Sequence, residues 1–454
     1  MFKHLTLILS SCFLMLSFQP QMNEISIQTI TSTTPFGEVK VKIPDFSQST
    51  KYSITDYGAV PHNQEATSLA IKQAIAVANA NGGGRIIIPK GEWLTGKIHL
   101  KSNINLHLEE GAVLLFSDDP EDYLPAVQSS WEGLECYNYS PLIYAYQCKN
   151  IAITGKGELK AKMDTWRAWF DRPPGHMNSL KQLYHMAAKN VPVEVRQMVN
   201  DTANLRPQFI QFNRSENILL EGVTITNSPF WVIHPYLSKN VSIQNVKVFA
   251  HGHNNDGVDP EMSQNIIIEN CTFDQGDDAI AIKSGRNQDA WRLHTPSKNI
   301  VIKNCNIING HQLMAIGSEL SGGVENVYMS NCQVADNAKL NHLLFIKTNE
   351  RRGGTVRNIY MDSIKAGKIA AGVLGIDTDV LYQWRDLVPT YQRRLTVIED
   401  IHMSDIHAEN VDFISKITGQ EEVPIKNISL NQVTVDSIRT EKIINQNVVN
   451  FNQS

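Results

Sequence analysis

The feature that most constrains the fold of this 454-residue chain is a short phrase that recurs along most of its length. The phrase is an asparagine followed by alternating apolar residues, and its middle copies recur roughly every 23–34 residues. Copies begin at Asn150, Asn217, Asn240, Asn265, Asn299, Asn326, Asn358 and Asn427, with Asp400 as a variant. Each unit holds short β-branched runs with no helical segment between them. The repeat therefore predicts an all-β parallel β-helix, a solenoid of stacked coils.

Three of the six cysteines occupy one position in successive copies of the repeat. Cys271, Cys305 and Cys332 each follow an asparagine. Since stacked coils lie about 4.8 Å apart, these side chains should form an inward ladder of small apolar groups. A disulfide between neighbours is compatible with that distance, but three cysteines in a row cannot all pair. We expect free thiols.

Two segments outside the repeat frame the solenoid. A helical pattern from Thr67 to Ala80 predicts an N-terminal cap helix over strand edges that would otherwise be unpaired. Residues 163–206 interrupt the repeat and have a helical pattern from Ser179 to Val199. This insertion is either a solvated excursion or a wall beside a cleft.

Residues 1–20 have the pattern of an export signal. Lys3 and His4 precede an apolar run over residues 5–18, too short to span a bilayer. A buried N-terminal strand is the alternative. Cys12 sits in a faint lipoprotein cleavage box, but the residues after it are apolar. We therefore expect an exported protein, periplasmic or extracellular, rather than one lipid-anchored at Cys12.

The net charge and the lengths of the apolar segments limit the ligands and the membrane attachment that this chain can have. The net charge of −5 excludes a global basic field for nucleic acid, so an anionic ligand must meet a local cluster of cations. No segment after the signal is apolar and long enough for a membrane helix. We expect a monomer with an N-terminal extension over residues 21–50 and one β-helix domain over residues 51–454.

Aligning the repeats on their asparagines brings mixed charges into one register. Period-two alternation turns four of these side chains outward onto one face. They are Asp277, Lys283, His311 and Lys347. Asp256 and Asp278 break the alternation, so the chain must turn where they lie. A structural ladder would repeat one residue type, as the cysteines do, whereas this mixture indicates a functional site.

The chemistry of these residues favours acid/base catalysis. Neighbouring carboxylates repel, which raises a pKa and makes an acid available near neutral pH. One acid and one base across a sugar is the arrangement for glycoside hydrolysis. The acids Asp256, Asp277 and Asp278 could instead bind calcium, as in β-helix pectate lyases. Those lyases use a strongly basic residue, and His311 with an acid cluster fits hydrolysis better.

Four short motifs resemble the signatures of the polygalacturonase family, glycoside hydrolase family 28. They are Asn254-Asn255-Asp256-Gly257, Gly276-Asp277-Asp278, Gly310-His311-Gln312 and Phe345-Ile346-Lys347. The likeness runs from about Tyr52 to the C-terminus. It implies a right-handed parallel β-helix that hydrolyses galacturonate linkages in pectin, with no metal or organic cofactor required.

The resemblance also implies roles for single residues. Asp277 would be the general acid, while Asp256 and Asp278 would activate the water. The outcome would be inversion, with acid and base roughly 6.5–9.5 Å apart. His311 would tune the acid, and Lys347 would pair with a galacturonate carboxylate.

Further substrate-binding candidates come from the same resemblance. Lys283 is a second candidate for the carboxylate, Tyr382 is the counterpart of a sugar-binding tyrosine, and Asn254 belongs to the first motif. The insertion at residues 163–206, and phrases around Asn227 and Asn254 that are similar to exo-acting members, favour an exo-acting enzyme. An endo-polygalacturonase, a non-catalytic pectin- or metal-binding β-helix and a lyase are the alternatives.

Three motif positions depart from the family pattern. Asn255 stands where Thr is usual, Gln312 replaces a Gly, and Phe345 replaces an Arg that normally grips the sugar on the leaving-group side. Loss of that bidentate cation argues against a second galacturonate at this subsite. The ring of Phe345 would suit the methyl group of rhamnose, so rhamnogalacturonan is a candidate substrate. The alternative is that Arg351 or Arg352 in the following loop replaces the missing cation and restores the usual preference.

Overall fold

The computed structural model describes residues 25–200 and 202–454. The predicted export signal, with Cys12, lies outside the described residues. The described chain winds into a parallel β-helix whose coils contribute strands to three faces.

Strands of the first face stack in parallel from one end of the solenoid to the other. They are Lys51–Ser53, Gly84–Ile88, Ile104–Leu108, Lys149–Gly155, Glu216–Glu221, Lys239–Gln244, Gln264–Glu269, Ser297–Lys303, the first parts of Val324–Val334, Thr355–Lys368, Val397–Val411 and Ile425–Ile438, and Val448–Gln453.

The second face is continuous with the first across one turn of each coil. Its strands are Gly91–Thr95, Ala112–Phe116, Glu158–Ala161, Thr224–Thr226, Lys247–Ala250, Thr272–Gln275, Asn306–Asn309 and the second parts of the four long strands.

The third face consists of two stacks that single bridges at Val258 and Glu261 join. Its strands are Ile98–His99, Ile143–Tyr146, Ile210–Asn213, Ile233–Tyr236, Ile280–Ile282, Gln312–Gly317, His342–Lys347, Gly372–Asp377, Phe413–Thr418 and Ile443–Gln446. The irregular join at Val258 leaves room for a wide turn on this face.

The repeated asparagines form a hydrogen-bonded ladder beside the first face. Each has a left-handed backbone, with φ of 57° at Asn299 as an example, which Asn tolerates better than most residues. Each side-chain amide donates to the Oδ1 of the asparagine one coil earlier, from Asn299 to Asn265 at 3.0 Å and from Asn326 to Asn299 at 3.0 Å. The ladder runs from Asn103 to Asn358 and ties each coil in this span to its neighbour. A second, shorter run joins Asn427 to Asp400 and Asn450 to Asn427.

Aliphatic side chains fill the interior, and the three aligned cysteines are part of this core. Cys271, Cys305 and Cys332 are buried and their thiols are free, as predicted. In the next coil Ile364 takes the place of Cys332 in the register. The ladder is therefore a column of small and β-branched apolar groups.

The predicted cap helix is present as α1, Gln64–Ala80. It begins three residues before the expected Thr67 because the side chain of Asn63 accepts the Ala66 N–H and caps the helix. Its buried face packs on the first coils and covers their open end. The residues of this face include Thr67, Ala70, Ile71, Ala74, Ile75 and Ala78.

The predicted N-terminal extension contains an antiparallel hairpin, Ser26–Thr34 with Gly37–Asp45. It packs on the outer surface of the first face, where the apolar side chains of Ile267 and Val301 point away from the core. The hairpin covers these side chains with three of its own. They are Val39, Val41 and Ile43.

The remaining elements lie outside the three strand faces. They are the hairpin Val127–Trp131 with Leu134–Asn138, the helices α2 (Asp164–Phe170), α3 (His176–Ala188), α4 (Asn287–Leu293) and α5 (Trp384–Leu387), and the 3₁₀ turns Ile54–Tyr57, Pro120–Tyr123 and Val193–Val195. Helix α3 ends well before the expected Val199, because Asn190 takes a left-handed φ of 52° and Pro192 follows. Among the described residues, no helix has the length and apolar character to cross a membrane.

Replacing Asn299 by alanine should lower the free energy of unfolding by about 2–5 kcal/mol. A left-handed alanine costs about 1–2 kcal/mol, and two hydrogen bonds contribute about 0.5–1.5 kcal/mol each. Asn299→Gly is the matched control, since glycine adopts this backbone freely and should lose only the hydrogen-bond part. Urea unfolding followed by circular dichroism measures both, and equal losses would contradict the backbone argument.

Candidate active site

The charged residues of the four motifs meet on the third face, over successive coils. Stacked neighbours along this face are Val258, Ile280, Met314 and Leu344. By the same pairing Asp277 lies one coil from His311, and Lys283 lies two coils from Lys347. The motifs therefore have the expected register, and their side chains converge at one place.

Asp256 and Asp278 lie where the chain bends before re-entering the third face. A glycine permits the tight approach in this turn, because a Cβ at Gly276 would meet the backbone nitrogen of Gly252 at 2.6 Å. Asp277 then curls back so that its Oδ1 accepts the N–H of Asp278 at 3.0 Å. The carboxylates of Asp277 and Asp278 therefore face the same space above the third face.

The charged side chains line a cavity of about 410 Å³. Its walls include all four predicted catalytic residues, Asp256, Asp277, Asp278 and His311. They also include the substrate-binding candidates Lys283, Lys347, Asn254 and Tyr382. The further lining residues are Glu132, Arg172, Trp231, His253, Arg286, Ser318, Glu319, Arg352, Val380, Gln383 and Trp384.

Lys283 is buried and already paired. Its Nζ lies 3.4 Å from Asp256 and 3.4 Å from Glu319, and it sits over the ring of Trp231 at 4.9 Å from the centroid. Period-two alternation correctly turns Lys283 out of the core, but the surrounding loops cover it, so only 6% of its side chain is exposed. Lys283 thus neutralises carboxylates of the site, which leaves it less free to bind a carboxylate of a ligand.

Lys347 occupies the other side of the acid cluster. Its Nζ donates to Asp278 Oδ2 at 3.2 Å, and 15% of its side chain is exposed. Tyr382 stands at the rim of the cavity and is 62% exposed. Lys347 can therefore contact a ligand from the cavity while it holds Asp278.

Burial and mutual repulsion raise the pKa values of the innermost carboxylates. Burial, followed by the charge of Asp277, raises the pKa of Asp256 to about 8. Burial and the charge of Asp256 raise the pKa of Asp259 well above its usual range. Burial also raises the pKa of Asp278, although the charge of Lys347 opposes it. Asp256 and Asp259 therefore retain protons near neutral pH.

Asp277 and His311 form a pair that shares one proton. His311 Nδ1 lies 3.2 Å from Asp277 Oδ1, and this contact raises the pKa of His311. Burial acts to raise the pKa of Asp277, but the hydrogen bond from His311 and the charge of Lys347 outweigh it and lower the pKa to about 2.

Repulsion between neighbouring carboxylates raises the pKa of Asp256, in line with the expectation from the sequence, but the pKa of Asp277 is lowered. The raised pKa values belong to Asp256, Asp259 and Asp278, which are deeper than Asp277. The proton nearest to Asp277 rests on His311 instead, because the hydrogen bond to Asp277 and the charge of that carboxylate outweigh the partial burial of the imidazole.

Three residues of the site could in principle bind a metal ion, which is the alternative to acid/base catalysis. Asp277, Asp278 and His311 offer ligand atoms within 4.8 Å of one another. The Nζ of Lys347 lies 3.2 Å from one of these oxygens, so a cation bound there would have to displace an ammonium. A histidine is also a poor ligand for the calcium ion considered from the sequence. These residues fit acid/base chemistry better than cation binding.

Two motif positions have structural explanations. Asn255, which stands in place of Thr, is buried, and its side-chain amide donates to the carbonyls of Ser228 and Phe230. Asn254 accepts a 2.9 Å hydrogen bond from Arg206 and lines the cavity.

Phe345 lies outside the cavity lining. Its ring stacks on that of His342 at 4.5 Å between centroids, and it lies 6.0 Å from Lys347 Nζ. It is half-buried and faces outward from the third face, as the register predicted. The ring therefore borders the Lys347 side of the site.

The cavity walls come from segments outside the repeat. The tip of the hairpin over residues 127–138 contributes Glu132, which contacts Arg286 at 3.3 Å. Arg286 also contacts Tyr184 of helix α3, whose ring lies 4.4 Å from that of Trp384. The insertion is thus a wall of the cavity and not a solvated excursion.

Several of these cavity residues were not among the candidates predicted from the sequence. They are Glu132, Arg172, Trp231, Arg286, Glu319 and Trp384. Trp231 and Glu319 lie in phrases that adjoin the motifs, a signal that could have identified them. The others come from loops without a periodic pattern, so no comparable signal marks them.

Comparisons with known proteins identify the family and the fold of the chain. The family described as glycosyl hydrolases family 28 matches residues 195–452. A hyperthermoactive exopolygalacturonase from Thermotoga maritima is 36% identical, with a TM-score of 0.81, over 91% of this chain and 94% of that one. It and its relatives are right-handed parallel β-helices, which confirms the predicted fold class.

Curated relatives have related descriptions. A probable polygalacturonase of Vitis vinifera is 29% identical over 399 residues, 84% of this chain and 74% of that protein. An exo-poly-alpha-D-galacturonosidase of Dickeya chrysanthemi is 29% identical over 309 residues, 63% of this chain and 50% of that protein. The resemblance inferred from the four motifs is confirmed.

The pairing of Asp277 with His311 predicts a histidine titration. In protein with ¹³C-labelled histidine, the His311 resonance, identified by its loss in His311→Gln, should titrate above pH 6.5. Asp277→Asn should lower that pKa because the negative charge beside the imidazole is gone. His402, on the first face, should titrate alike in both proteins. An unchanged His311 titration in Asp277→Asn would contradict the pairing.

Proposed function

Since the chain belongs to the glycosyl hydrolases of family 28, we propose that it releases galacturonic acid from the end of a pectic polysaccharide or oligosaccharide, with inversion. The observation that carries the proposal is the cluster of Asp256, Asp277, Asp278 and His311 within one walled cavity. Carboxylates, an imidazole and two lysines match the chemistry of hydrolysing a sugar acid.

The exo-acting mode is supported by the walls of the cavity. Tyr184 of the insertion meets Trp384, and Arg286 lies between this contact and Glu132 on the hairpin. Such a wall leaves space for the end of a chain and obstructs a chain that continues in both directions. The Thermotoga maritima exopolygalacturonase, similar over 91% of this chain, supports the same mode.

Asp277 is the proposed general acid, with His311 as the source of its proton. As the glycosidic bond lengthens, negative charge builds on the leaving oxygen, and the proton held on His311, 3.2 Å away, passes to the Asp277 carboxylate. Asp277 delivers that proton to the leaving oxygen, and His311 is left neutral. This relay explains how an aspartate with a lowered pKa acts as an acid, because the pair and not the single carboxyl titrates.

Asp278 and Asp256 are the proposed partners of the attacking water. Asp278 is held by the Lys347 ammonium at 3.2 Å, so it is the better candidate for the ionised base. Asp256, whose pKa burial raises to about 8, can keep its proton and orient the water as a hydrogen-bond donor. Water loses its proton to Asp278 as its oxygen bonds to the anomeric carbon on the face opposite the leaving group.

Lys347 is the proposed contact for a galacturonate carboxylate on the leaving-group side. We also propose that the chain acts outside the cytoplasm as a monomeric single β-helix domain, residues 51–454, after an export signal over residues 1–20 and an extension over residues 21–50. This part rests on the sequence pattern alone.

Asp277→Asn should lower turnover of an oligogalacturonate by roughly 10²–10⁴-fold, the usual contribution of a general acid. The wild-type protein should release galacturonic acid as its sole early small product, together with a chain one residue shorter. Chromatography of time courses measures both quantities.

Asp274→Asn is the matched control, since it makes the same chemical change on the preceding strand, where Asp274 pairs with His251. It should retain near-normal turnover. Mid-sized oligomers from the first time points would indicate an endo mode, and a product with the absorbance of an unsaturated uronate would indicate a lyase. Near-normal turnover of folded Asp277→Asn would exclude its role as acid.

A second candidate substrate is galacturonate linked to rhamnose, as in rhamnogalacturonan. The stacked rings of His342 and Phe345 border the Lys347 side, where the family usually has an arginine. An apolar surface there suits a deoxy sugar with a methyl group, and with such a sugar Lys347 would hold Asp278 without contacting a carboxylate of the ligand.

On this basis kcat/KM should be higher for a galacturonate–rhamnose oligosaccharide than for a size-matched oligogalacturonate. Phe345→Arg should shift the ratio toward the oligogalacturonate, because it restores a bidentate cation. Cleavage of the oligogalacturonate tenfold faster by the wild type, about 1.4 kcal/mol in the transition state, would rule out the rhamnose preference.

A further inference from the structure

Arg172 is a cavity residue that the family motifs do not include. It lies in the loop between helices α2 and α3 of the insertion, is half-buried, and has a left-handed φ of 51°. Its side chain reaches the cavity that holds Asp256 and Asp277. The repeat does not supply this group, so its presence there depends on how the insertion folds back over the third face.

The other cations of the cavity are already engaged. Lys283 and Lys347 pair with site carboxylates, and Arg286 pairs with Glu132 and Glu319. Arg352 is 3% exposed, and it donates to the Ser318 carbonyl and to Asn287.

Arg172 differs from all of them. Within the described part of the chain, no carboxylate lies within 4.0 Å of it, and its one hydrogen bond joins Nη2 to His253 Nε2 at 3.1 Å. A guanidinium with open donors in a walled cavity is prepared to bind an anion in a bidentate manner.

The contact with His253 orients the guanidinium. Because a guanidinium only donates, His253 Nε2 must accept, and the imidazole must be neutral. Burial, with the charges of Arg206 and Arg172, lowers the pKa of His253 to about 4, which agrees with a neutral ring. Arg206 in turn donates to the His253 carbonyl and to Asn254, so this edge of the cavity is held in place.

Arg172 and Lys347 lie on opposite sides of the acids along the solenoid axis. His253, the partner of Arg172, belongs to the coil of Val258, and Lys347 belongs to the coil of Leu344. These coils are three interstrand spacings apart, roughly 14 Å. Asp277 lies between them, so the bond to be cleaved separates a sugar near Arg172 from a sugar near Lys347.

We propose that Arg172 binds the carboxylate of the terminal galacturonate, the sugar that is released, and so makes the enzyme selective for an acidic sugar at that position. This proposal rests on the proposed function, to which it adds Arg172 as the residue that recognises the terminal sugar. It also assigns the two carboxylate contacts to two sides, with Lys347 on the leaving-group side and Arg172 on the terminal side.

The test compares acidic and neutral terminal sugars. On 4-nitrophenyl α-galacturonide, Arg172→Gln should lower kcat/KM roughly ten- to hundredfold, mainly through KM, because a charge-assisted contact is lost. On 4-nitrophenyl α-galactoside the same variant should match the wild type or exceed it. Arg172→Lys should recover part of the activity on the galacturonide, since a single charge replaces a bidentate one.

Arg167→Gln is the matched control. Arg167 lies on helix α2 of the same insertion, is exposed, and does not line the cavity, so its loss changes the net charge equally. It should leave both substrates unaffected. Melting temperatures of all variants check that the fold is intact.

Outcomes separate this inference from the proposed function. Suppose that the wild type hydrolyses the galacturonide. If Arg172→Gln then has the same ratio of kcat/KM on the galacturonide to kcat/KM on the galactoside as the wild type, whether both values are unchanged or both fall in proportion, Arg172 does not recognise the carboxylate. If the wild type hydrolyses no galacturonide, the proposed function fails. In that case, calorimetric titration of the wild type and of Arg172→Gln with free galacturonate and with galactose tests whether Arg172 contacts the carboxylate. Equal galacturonate affinity in wild type and Arg172→Gln overturns it.

Discussion

Hydrogen bonds between the side-chain amides of stacked asparagines are the interaction on which the rest of the molecule depends. A strand that slipped by one residue would exchange its inward and outward side chains. The ladder prevents this, because each asparagine must be left-handed and must face the asparagine of the next coil, as Asn299 faces Asn265 and Asn326. The aligned cysteines and the converging motifs of the third face both follow from that register.

The site that results concentrates opposite charges where water is scarce. Lys283 lies among Asp256, Asp259 and Glu319, and it is buried with them. Burial alone would raise the pKa of Glu319, but the charges of Lys283 and Arg286 outweigh it and keep this carboxylate ionised. At Asp256 and Asp259, burial and the charge of a neighbouring aspartate outweigh the opposing charge of Lys283, so these two carboxyls hold protons.

Segments outside the repeat convert this charged surface into a cavity. A regular β-helix would leave the third face open along its length, as a groove. Here the hairpin with Glu132, helix α3 with Tyr184 and the turn with Trp384 meet above it. The solenoid therefore supplies the reacting groups, and the insertions determine which part of a polymer can reach them.

The amino-acid sequence by itself determined the repeat, the register, the free thiols and the cap helix. The period of the repeat and its residue types are local properties of the sequence. Because the coils stack in register, equivalent residues of successive copies take equivalent positions in the fold. The repeat period alone places Asp277 in the register of His311 and Lys283 in the register of Lys347.

Only the tertiary structure decided what surrounds those residues. Lys283 points out of the core as predicted, yet it is buried because loops distant in sequence cover it. Arg172 reaches His253 across 81 positions of the chain, and no period relates the two. The order of the carboxylate pKa values depends on which charges are near and how deeply each group is buried. Those distances are set by packing between segments that share no repeat, so the sequence pattern does not contain them.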